Sequence, residues 1–279
     1  LHYNNLEELN SYKYNSLFDI RNTYDNVVSR IKNASLPPHT VQMLHVVLEE
    51  MGDVPLIVRS SSLLEDQRGD AFSGKYKSLF LPNKGTRNQR LEALKDAILE
   101  VYSSMYNPDA IQYRLERGLL NSIEQMGILI QEVIGCRVGK YYLPAFSGVA
   151  FSHNLLRWSP RIRREDGLLR LVMGLGTRAV DRVKDDYPIL VSLGQPELTI
   201  NQTPDDIRHY SPKYIDLINL EENRFETIEV SRFLREAGDQ LPDLHKYVSV
   251  YNEGFIENKN SYSLDIKKDE LVVTFQHIL

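Results

Sequence analysis

The sequence predicts an α+β fold, with mixed α and β elements arranged in two lobes. Apolar residues recur at helical spacing in residues 1–52 and 86–118. Beyond residue 127 the chain consists of short apolar or alternating runs between turn residues, which is typical of strands. The change in pattern predicts a loose boundary between the lobes near residues 118–140.

The first part of the chain is predicted to be mainly helical. Valine and leucine recur at helical intervals in residues 41–48, and Gly52 is a suitable residue to end that helix. Thr86 is a favourable N-cap for a long helix that extends to about Tyr106. Pro108 favours the first turn of the next helix, so the helices of this lobe follow one another closely.

Short strands are predicted between and beyond these helices. Leu56, Ile57 and Val58 form a continuous apolar run that is typical of a buried strand, and a polar loop is predicted over residues 60–70. Two alternating runs flank a polar turn at residues 221–224, which predicts a hairpin. The predicted strands are residues 55–59, 76–81, 127–134, 142–152, 168–173, 188–193, 214–220 and 225–230.

Composition excludes several classes of protein. The chain is 42% hydrophobic and 25% charged, so it can bury a sizeable core. A net charge of −5 argues against a general nucleic-acid binder, which is usually basic. Cys136 is the single cysteine, which excludes an internal disulfide and fits a reducing compartment. No apolar run is long enough to span a membrane, so we expect a cytoplasmic protein.

Residues 69–76, GDAFSGKY, nearly match the phosphate-binding P-loop pattern. The match fails at Tyr76, where a serine or threonine should contact Mg²⁺, and an extended segment follows instead of a helix. A glycine-containing loop between two strands can still place backbone N–H groups on phosphates.

Residues 174–179, GLGTRA, follow an apolar strand and match the dinucleotide pattern G-x-G-x-x-A. The acidic residue expected about 20 positions later is represented only by Glu197, and no βαβ unit is evident. A tight turn from strand to helix needs the same glycines, so both interpretations stay open here.

Arg59 is a candidate phosphate ligand. It stands at the end of a predicted strand and opens a row of hydroxyls at residues 60–62. The planar donors of a guanidinium suit phosphate oxygens. The alternative is a buried structural ion pair.

An ordered set of motifs resembles the phosphoenolpyruvate synthase and pyruvate phosphate dikinase family. Residues 58–66, VRSSSLLED, resemble the signature V-R-S-S-A-T-A-E-D, and in residues 71–74, AFSG, the last three resemble the F-A-G of the F-A-G-Q that follows it. The spacing from Arg59 to Gly74 matches without a gap. Residues 130–134, IQEVI, resemble V-Q-R-M-V, and residues 147–152, SGVAFS, resemble S-G-V-M-F-S. Residues 174–176, GLG, match the start of G-L-G-E.

The resemblance implies an ATP-grasp-like domain whose two lobes close on ATP and Mg²⁺. In that family the ATP phosphorylates a histidine on a separate domain, which passes the group to pyruvate on a third. By this resemblance, Arg59 contacts the polyphosphate, Gly74 and Ser78 line the phosphate loop, and the backbone of residues 131–133 holds adenine. The ATP-binding residues implied are Arg59, Ser60, Gly74, Lys75, Ser78, Gln131 and Val133.

Departures from the family pattern limit what the resemblance implies. Thr177 stands where the family often has glutamate, Lys75 where it has glutamine, and Val133 where it has methionine. The opening G-G-K and closing L-Q-x-R segments are not found, so we expect a fold that is incomplete at both ends. No complete catalytic set and no metal ligand are assigned.

We therefore expect residues 1–135 to form a helical lead-in with the first lobe, 136–240 a β-rich second lobe, and 241–279 the truncated start of a further subdomain. The function expected is that of an ATP-binding part of a phosphoenolpyruvate synthase-like phosphotransferase, inactive alone. Its partners would be ATP and the phosphohistidine and pyruvate-binding domains, without nucleic acid or membrane. The alternatives are a non-catalytic nucleotide-binding module and a dikinase for another acceptor, such as a glucan or an antibiotic.

Overall fold

The structure is a computed structural model that describes residues 1–62, 75–122, 125–180 and 186–279. These residues form two compact units, Leu1–Val133 and Ile134–Leu279. Each unit contains helices and strands, so the predicted mixed α and β class is confirmed. In the described ranges, every helix is too short or too polar to pass through a bilayer.

The first unit is built on helices whose ends follow local sequence signals. The long helix begins at Thr86, whose hydroxyl accepts from Gln89 N–H while the Gln89 side chain accepts from Thr86 N–H at 2.8 Å. This reciprocal capping confirms the predicted start. The helices are α1 (Leu9–Tyr12), α2 (Leu17–Lys32), α3 (Pro38–Met51), α4 (Arg87–Ser103) and α5 (Pro108–Glu116).

A three-stranded antiparallel sheet lies beside these helices, with strand order β2-β1-β3. Leu56 and Val58 of the central strand are fully buried in one core with Leu94 of α4. The strands are β1 (Leu56–Ser62), β2 (Ser78–Leu81) and β3 (Met126–Glu132).

A polar loop was predicted over residues 60–70, but the first three of these residues form strand instead, and residues 63–70 lie outside the described residues. Residues 60–62 continue β1, and Ser62 pairs with Met126 of β3. The prediction was wrong here because hydroxyl side chains do not prevent a backbone from completing a ladder that its partner strand offers.

The described residues of the second unit form three antiparallel sheets. The strand predicted over residues 142–152 is interrupted at Pro144, which has no N–H to donate to a ladder. The strands of the second unit are β4 (Cys136–Val138), β5 (Tyr141–Leu143), β6 (Phe146–Phe151), β7 (Leu168–Met173), β8 (Ile189–Ser192), β9 (Tyr214–Asn219), β10 (Arg224–Glu229), β11 (Val248–Asn252), β12 (Phe255–Glu257) and β13 (Glu270–Val273). The strand orders in the three sheets are β10-β9-β5-β4, β6-β7-β8 and β12-β11-β13. The helices of this unit are α6 (Thr177–Val180), α7 (Pro204–Tyr210) and α8 (Val230–Ala237).

One core joins the early and late parts of the second unit. Tyr141 and Phe233 belong to the same buried cluster as Val248 and Phe275. The residues on either side of the predicted boundary at position 240 therefore pack together. Ser211 also joins this late segment, because its hydroxyl accepts from Val273 N–H at 2.9 Å and donates to Val273 C=O at 3.3 Å.

Candidate functional site

Arg59 lies near the centre of the exposed face of the β2-β1-β3 sheet. Its neighbours across the strands are Ser78 of β2 and Leu129 of β3. Gln131 and Ile57 form the adjacent pair along the same face. Arg59 is exposed and forms no ion pair with the described residues, so the alternative of a buried structural ion pair is not supported. This face combines a cation, hydroxyl and amide groups, and partly exposed apolar side chains.

Strand alternation separates two neighbouring serines of β1. Ser60 is buried and lies on the face with Val58, which packs against the helices. Ser61 is exposed and shares the open face with Arg59. Ser60 was predicted as an ATP-binding residue, but the alternation of side chains along a strand could have identified Ser61 as the hydroxyl on the same face as Arg59.

Lys75 is directed toward a helix. Its ammonium lies 5.3 Å from the ring centroid of Tyr113 on α5, in a cation–π geometry. Tyr113 packs against the core beneath the sheet, which includes Val58. Lys75 is therefore engaged on the helical side of the unit, whereas Arg59 and Ser78 lie on the open face. Gly74 lies outside the described residues.

The predicted adenine segment forms the end of β3. Val133 is buried, and its N–H donates to Pro55 C=O at 2.9 Å. In an antiparallel ladder, hydrogen-bonded pairs alternate with pairs whose backbone groups point outward. Because Val133 bonds to Pro55, Gln131, which pairs with Ile57, also directs its backbone N–H and C=O toward β1. The backbone N–H and C=O of Glu132 point away from β1, toward the unpaired edge of β3.

Two sequence patterns have nucleotide-binding interpretations, and their described residues do not form the structures that those interpretations need. Residues 69–74 of the first pattern lie outside the described part of the chain. Lys75 and Tyr76 lead into β2, whereas a P-loop opens a helix. Residues 174–179 follow β7, which pairs antiparallel with both β6 and β8. A dinucleotide fold requires parallel strands joined by a crossover helix, so residues 174–179, here called the glycine turn, do not form a dinucleotide site.

Gly174 is held closely against β9. Its φ is +76°, and an added Cβ would lie 2.5 Å from Asp216 C=O. Leu175 N–H donates to that same carbonyl at 2.9 Å, and Ser147 Oγ donates to Gly174 C=O at 2.7 Å. Only glycine fits this position, because both the positive φ and the close backbone approach exclude a side chain.

A cleft of about 780 Å³ in the second unit lies between α7 and β13. Its lining includes Arg208, which is paired with Glu270 at 2.5 Å, and Lys213, which forms no ion pair with the described residues. None of the ATP-binding residues implied by the sequence lines this cleft. Its mixed charges indicate no particular class of ligand.

Comparison with known proteins matches the sequence to one family. A profile of the family described as "Pyruvate phosphate dikinase, AMP/ATP-binding domain" covers residues 1–250. A phosphoenolpyruvate synthase from Deinococcus radiodurans is 29% identical over 123 residues, which are 44% of this chain and 14% of that protein. A phosphoenolpyruvate synthase from Neisseria meningitidis serogroup B is 31% identical over 100 residues, 36% of this chain and 11% of that protein. The matched regions are thus small parts of much longer relatives.

Proposed function

Since the chain belongs to the family of pyruvate phosphate dikinase AMP/ATP-binding domains, we propose that its first unit binds the polyphosphate of ATP on the open face of the β2-β1-β3 sheet. The domain would be ATP-grasp-like and would serve a phosphotransferase of the phosphoenolpyruvate synthase kind. The observation that carries this proposal is the position of Arg59, exposed on the central strand and opposite Ser78.

The chemistry of this face suits a triphosphate. A guanidinium offers several N–H donors in one plane, and charge-assisted hydrogen bonds to phosphate are stronger than neutral ones. Ser78 and Ser61 add hydroxyl donors on the same face. Arg59 is held by a strand that pairs on both sides, so its backbone is fixed before a ligand arrives. Positioning and charge neutralisation are most of what phosphoryl transfer requires.

Adenine would lie along the edge of β3. Glu132 offers an outward N–H and C=O there, which is a donor–acceptor pair that matches the edge of an adenine ring. Leu129, 40% exposed, provides apolar surface on the open face of the same strand. This assignment refines the sequence-based expectation for residues 131–133, because Val133 already donates its N–H to Pro55.

The later steps belong to the longer proteins that this chain resembles. Mg²⁺ would enter bound to the phosphates of ATP. A histidine on another domain would accept the phosphoryl group and transfer it to pyruvate. We expect the isolated chain to bind nucleotide without forming phosphoenolpyruvate, and detection of that product with this chain alone would contradict the assignment.

The polyphosphate site is tested by thermal-shift titration with Mg-ATP on the wild-type chain and on Arg59→Ala. A ligand that binds only the folded state at 100 times its Kd adds about 2.7 kcal/mol of stability. We expect a rise in Tm for the wild type and none for Arg59→Ala. Arg59→Lys should bind more weakly than wild type, because an ammonium cannot replace the planar fork.

Arg21→Ala is the matched control for this experiment. Arg21 is also an arginine of the first unit, and it donates to Gln112 at 3.0 Å on the helical surface. This variant should retain the full response to Mg-ATP. An undiminished shift in Arg59→Ala would place the polyphosphate elsewhere and overturn the proposed site.

A further inference from the structure

Asp216 of β9 is the centre of a buried polar cluster in the second unit. Its Oδ1 accepts from the Thr227 hydroxyl at 2.6 Å, and its Oδ2 accepts from the Thr177 hydroxyl. Arg178 Nη1 lies 3.6 Å from Oδ1. The Asp216 side chain is 6% exposed, so protein groups rather than water surround both carboxylate oxygens.

The same aspartate holds the glycine turn through its backbone. Leu175 donates to the Asp216 carbonyl, and Gly174 forms an isolated bridge with Asp216. Together with Thr177 and Arg178, four residues of the turn therefore contact one residue of β9. These contacts hold the start of α6 against β9.

Arg178 connects the cluster to a second carboxylate. Its Nη2 lies 2.7 Å from Asp186 Oδ2, and its guanidinium stacks on Tyr214 with 5.3 Å between the guanidinium carbon and the ring centroid. Asp186 also accepts from Lys213 N–H at 2.8 Å, immediately before β9. The Arg178 side chain is 10% exposed, so this cation compensates the two buried carboxylates from within the protein.

The carboxylate of Asp216 does not fit a divalent cation in this arrangement. Mg²⁺ requires nearly octahedral oxygen coordination and retains several waters. Here one oxygen of Asp216 accepts from Thr177, and the other accepts from Thr227 beside a guanidinium. A cation at either oxygen would displace a hydroxyl donor and face the positive charge of Arg178.

We propose that Asp216 is an internal anchor. Its carboxylate accepts from Thr177 and Thr227 and pairs with Arg178, and it does not bind a metal ion. The glycine turn is then fixed before nucleotide or metal binds, and it does not require a divalent cation for its structure. This inference concerns the second unit alone and is independent of the proposed polyphosphate site at Arg59.

Whether Asp216 binds a divalent cation is tested on the wild-type chain by NMR titration with Mn²⁺ in the absence of nucleotide. Paramagnetic broadening identifies amides close to the ion without requiring a variant that folds. We expect the amides of Ile215 and Leu217, which flank Asp216, to keep their intensity while Mn²⁺ is added. Selective loss of these two signals would show metal at Asp216 and overturn the proposal.

The anchoring role is tested by hydrogen exchange over residues 174–180. Thr177→Val should accelerate exchange in this turn and leave residues 248–257 unchanged, whereas Thr199→Val should alter neither. The Thr199 hydroxyl donates on the exposed surface to Asn201 C=O at 3.2 Å, which makes it a matched control. Removal of metal from the wild type with EDTA should not change exchange in the turn. Faster exchange after EDTA, or unchanged exchange in Thr177→Val, would contradict the proposal.

Discussion

The hydroxyl of Tyr141 donates a 2.6 Å hydrogen bond to the Glu236 carboxylate, which ties the buried strand β5 to α8. The Tyr141 side chain is fully buried, whereas Glu236 is one-third exposed and also contacts Lys140 at 3.0 Å and Arg232 at 2.7 Å. One carboxylate thus receives three donors at the surface of the second unit.

These contacts predict a pH-dependent contribution to stability. Hydrogen bonds from Arg232, Tyr141 and Lys140 lower the pKa of Glu236 from 4.5 to about 2. A carboxyl with a depressed pKa in the folded state stabilises that state above the unfolded pKa, and the contribution is lost as pH falls through 4.5 toward about 2. Chemical denaturation of Glu236→Gln should therefore show a loss of unfolding free energy near pH 7 that shrinks across this interval.

Glu222→Gln is the control for that experiment, because Glu222 is exposed in the β9–β10 turn and forms no ion pair with the residues that the structure describes. Its unfolding free energy should follow the wild type at each pH. A difference between Glu236→Gln and wild type that stayed constant from neutral to acidic pH would contradict the charge-based explanation.

The capping residues of α4 should make a measurable contribution to stability. Thr86 and Gln89 satisfy each other's backbone N–H groups at the start of the helix. Thr86→Ala removes the side-chain acceptor and should cost about 1 kcal/mol in urea unfolding. Thr86→Ser keeps a capping hydroxyl and should retain most of the stability, so equal losses in the two variants would exclude the cap as the cause.

Asn83 should be more sensitive than an ordinary loop asparagine. Its backbone has φ +57°, and its side chain donates to Gly52 C=O at 3.0 Å and to Val54 C=O at 2.8 Å. It also accepts from Arg90 Nε at 2.9 Å. Asn83→Ala loses these bonds and places alanine in an unfavourable conformation, so we expect a loss of about 2 kcal/mol or more.

Asn83→Gly separates the two effects, because glycine accepts the positive φ but cannot replace the hydrogen bonds. It should unfold at a denaturant concentration between those of wild type and Asn83→Ala. A glycine variant as stable as wild type would assign the whole effect to backbone conformation.

The core beneath the sheet of the first unit should tolerate truncation poorly. Leu94 of α4 is fully buried with Leu56 and Val58. Leu94→Ala should lower the unfolding free energy by about 2–5 kcal/mol, through lost transfer energy and a cavity. Leu115, 51% exposed on α5, gives the matched control Leu115→Ala, whose effect should be small. Similar losses in both variants would contradict the core assignment.

Local signals predicted the elements well where they act over a few residues. Thr86 and Gly52 mark helix ends because capping and a positive φ are local requirements. The apolar run at residues 56–58 identified β1. The alternation that puts Arg59 on the face opposite the buried Val58 was not used, so a buried ion pair stayed open as an alternative for Arg59. Pro144 is a further local signal, because a proline interrupts a strand, and it could have divided the strand predicted over residues 142–152.

Contacts between distant residues could not be predicted in this way. Lys75 contacts Tyr113 of α5, and Thr177 of α6 contacts Asp216 of β9. Such pairs depend on how strands and helices pack, which short-range sequence patterns do not reveal. For the same reason Asp216 was not recognised as the residue that holds the glycine turn.

The double hydrogen bond between Ser211 and Val273 bears on how the molecule avoids self-association. β13 is an outer strand of its sheet, and an outer strand presents backbone groups that can pair with another molecule. Ser211 occupies both the N–H and the C=O of Val273. One hydroxyl therefore closes part of an edge along which a second copy of the chain could extend the sheet into an aggregate.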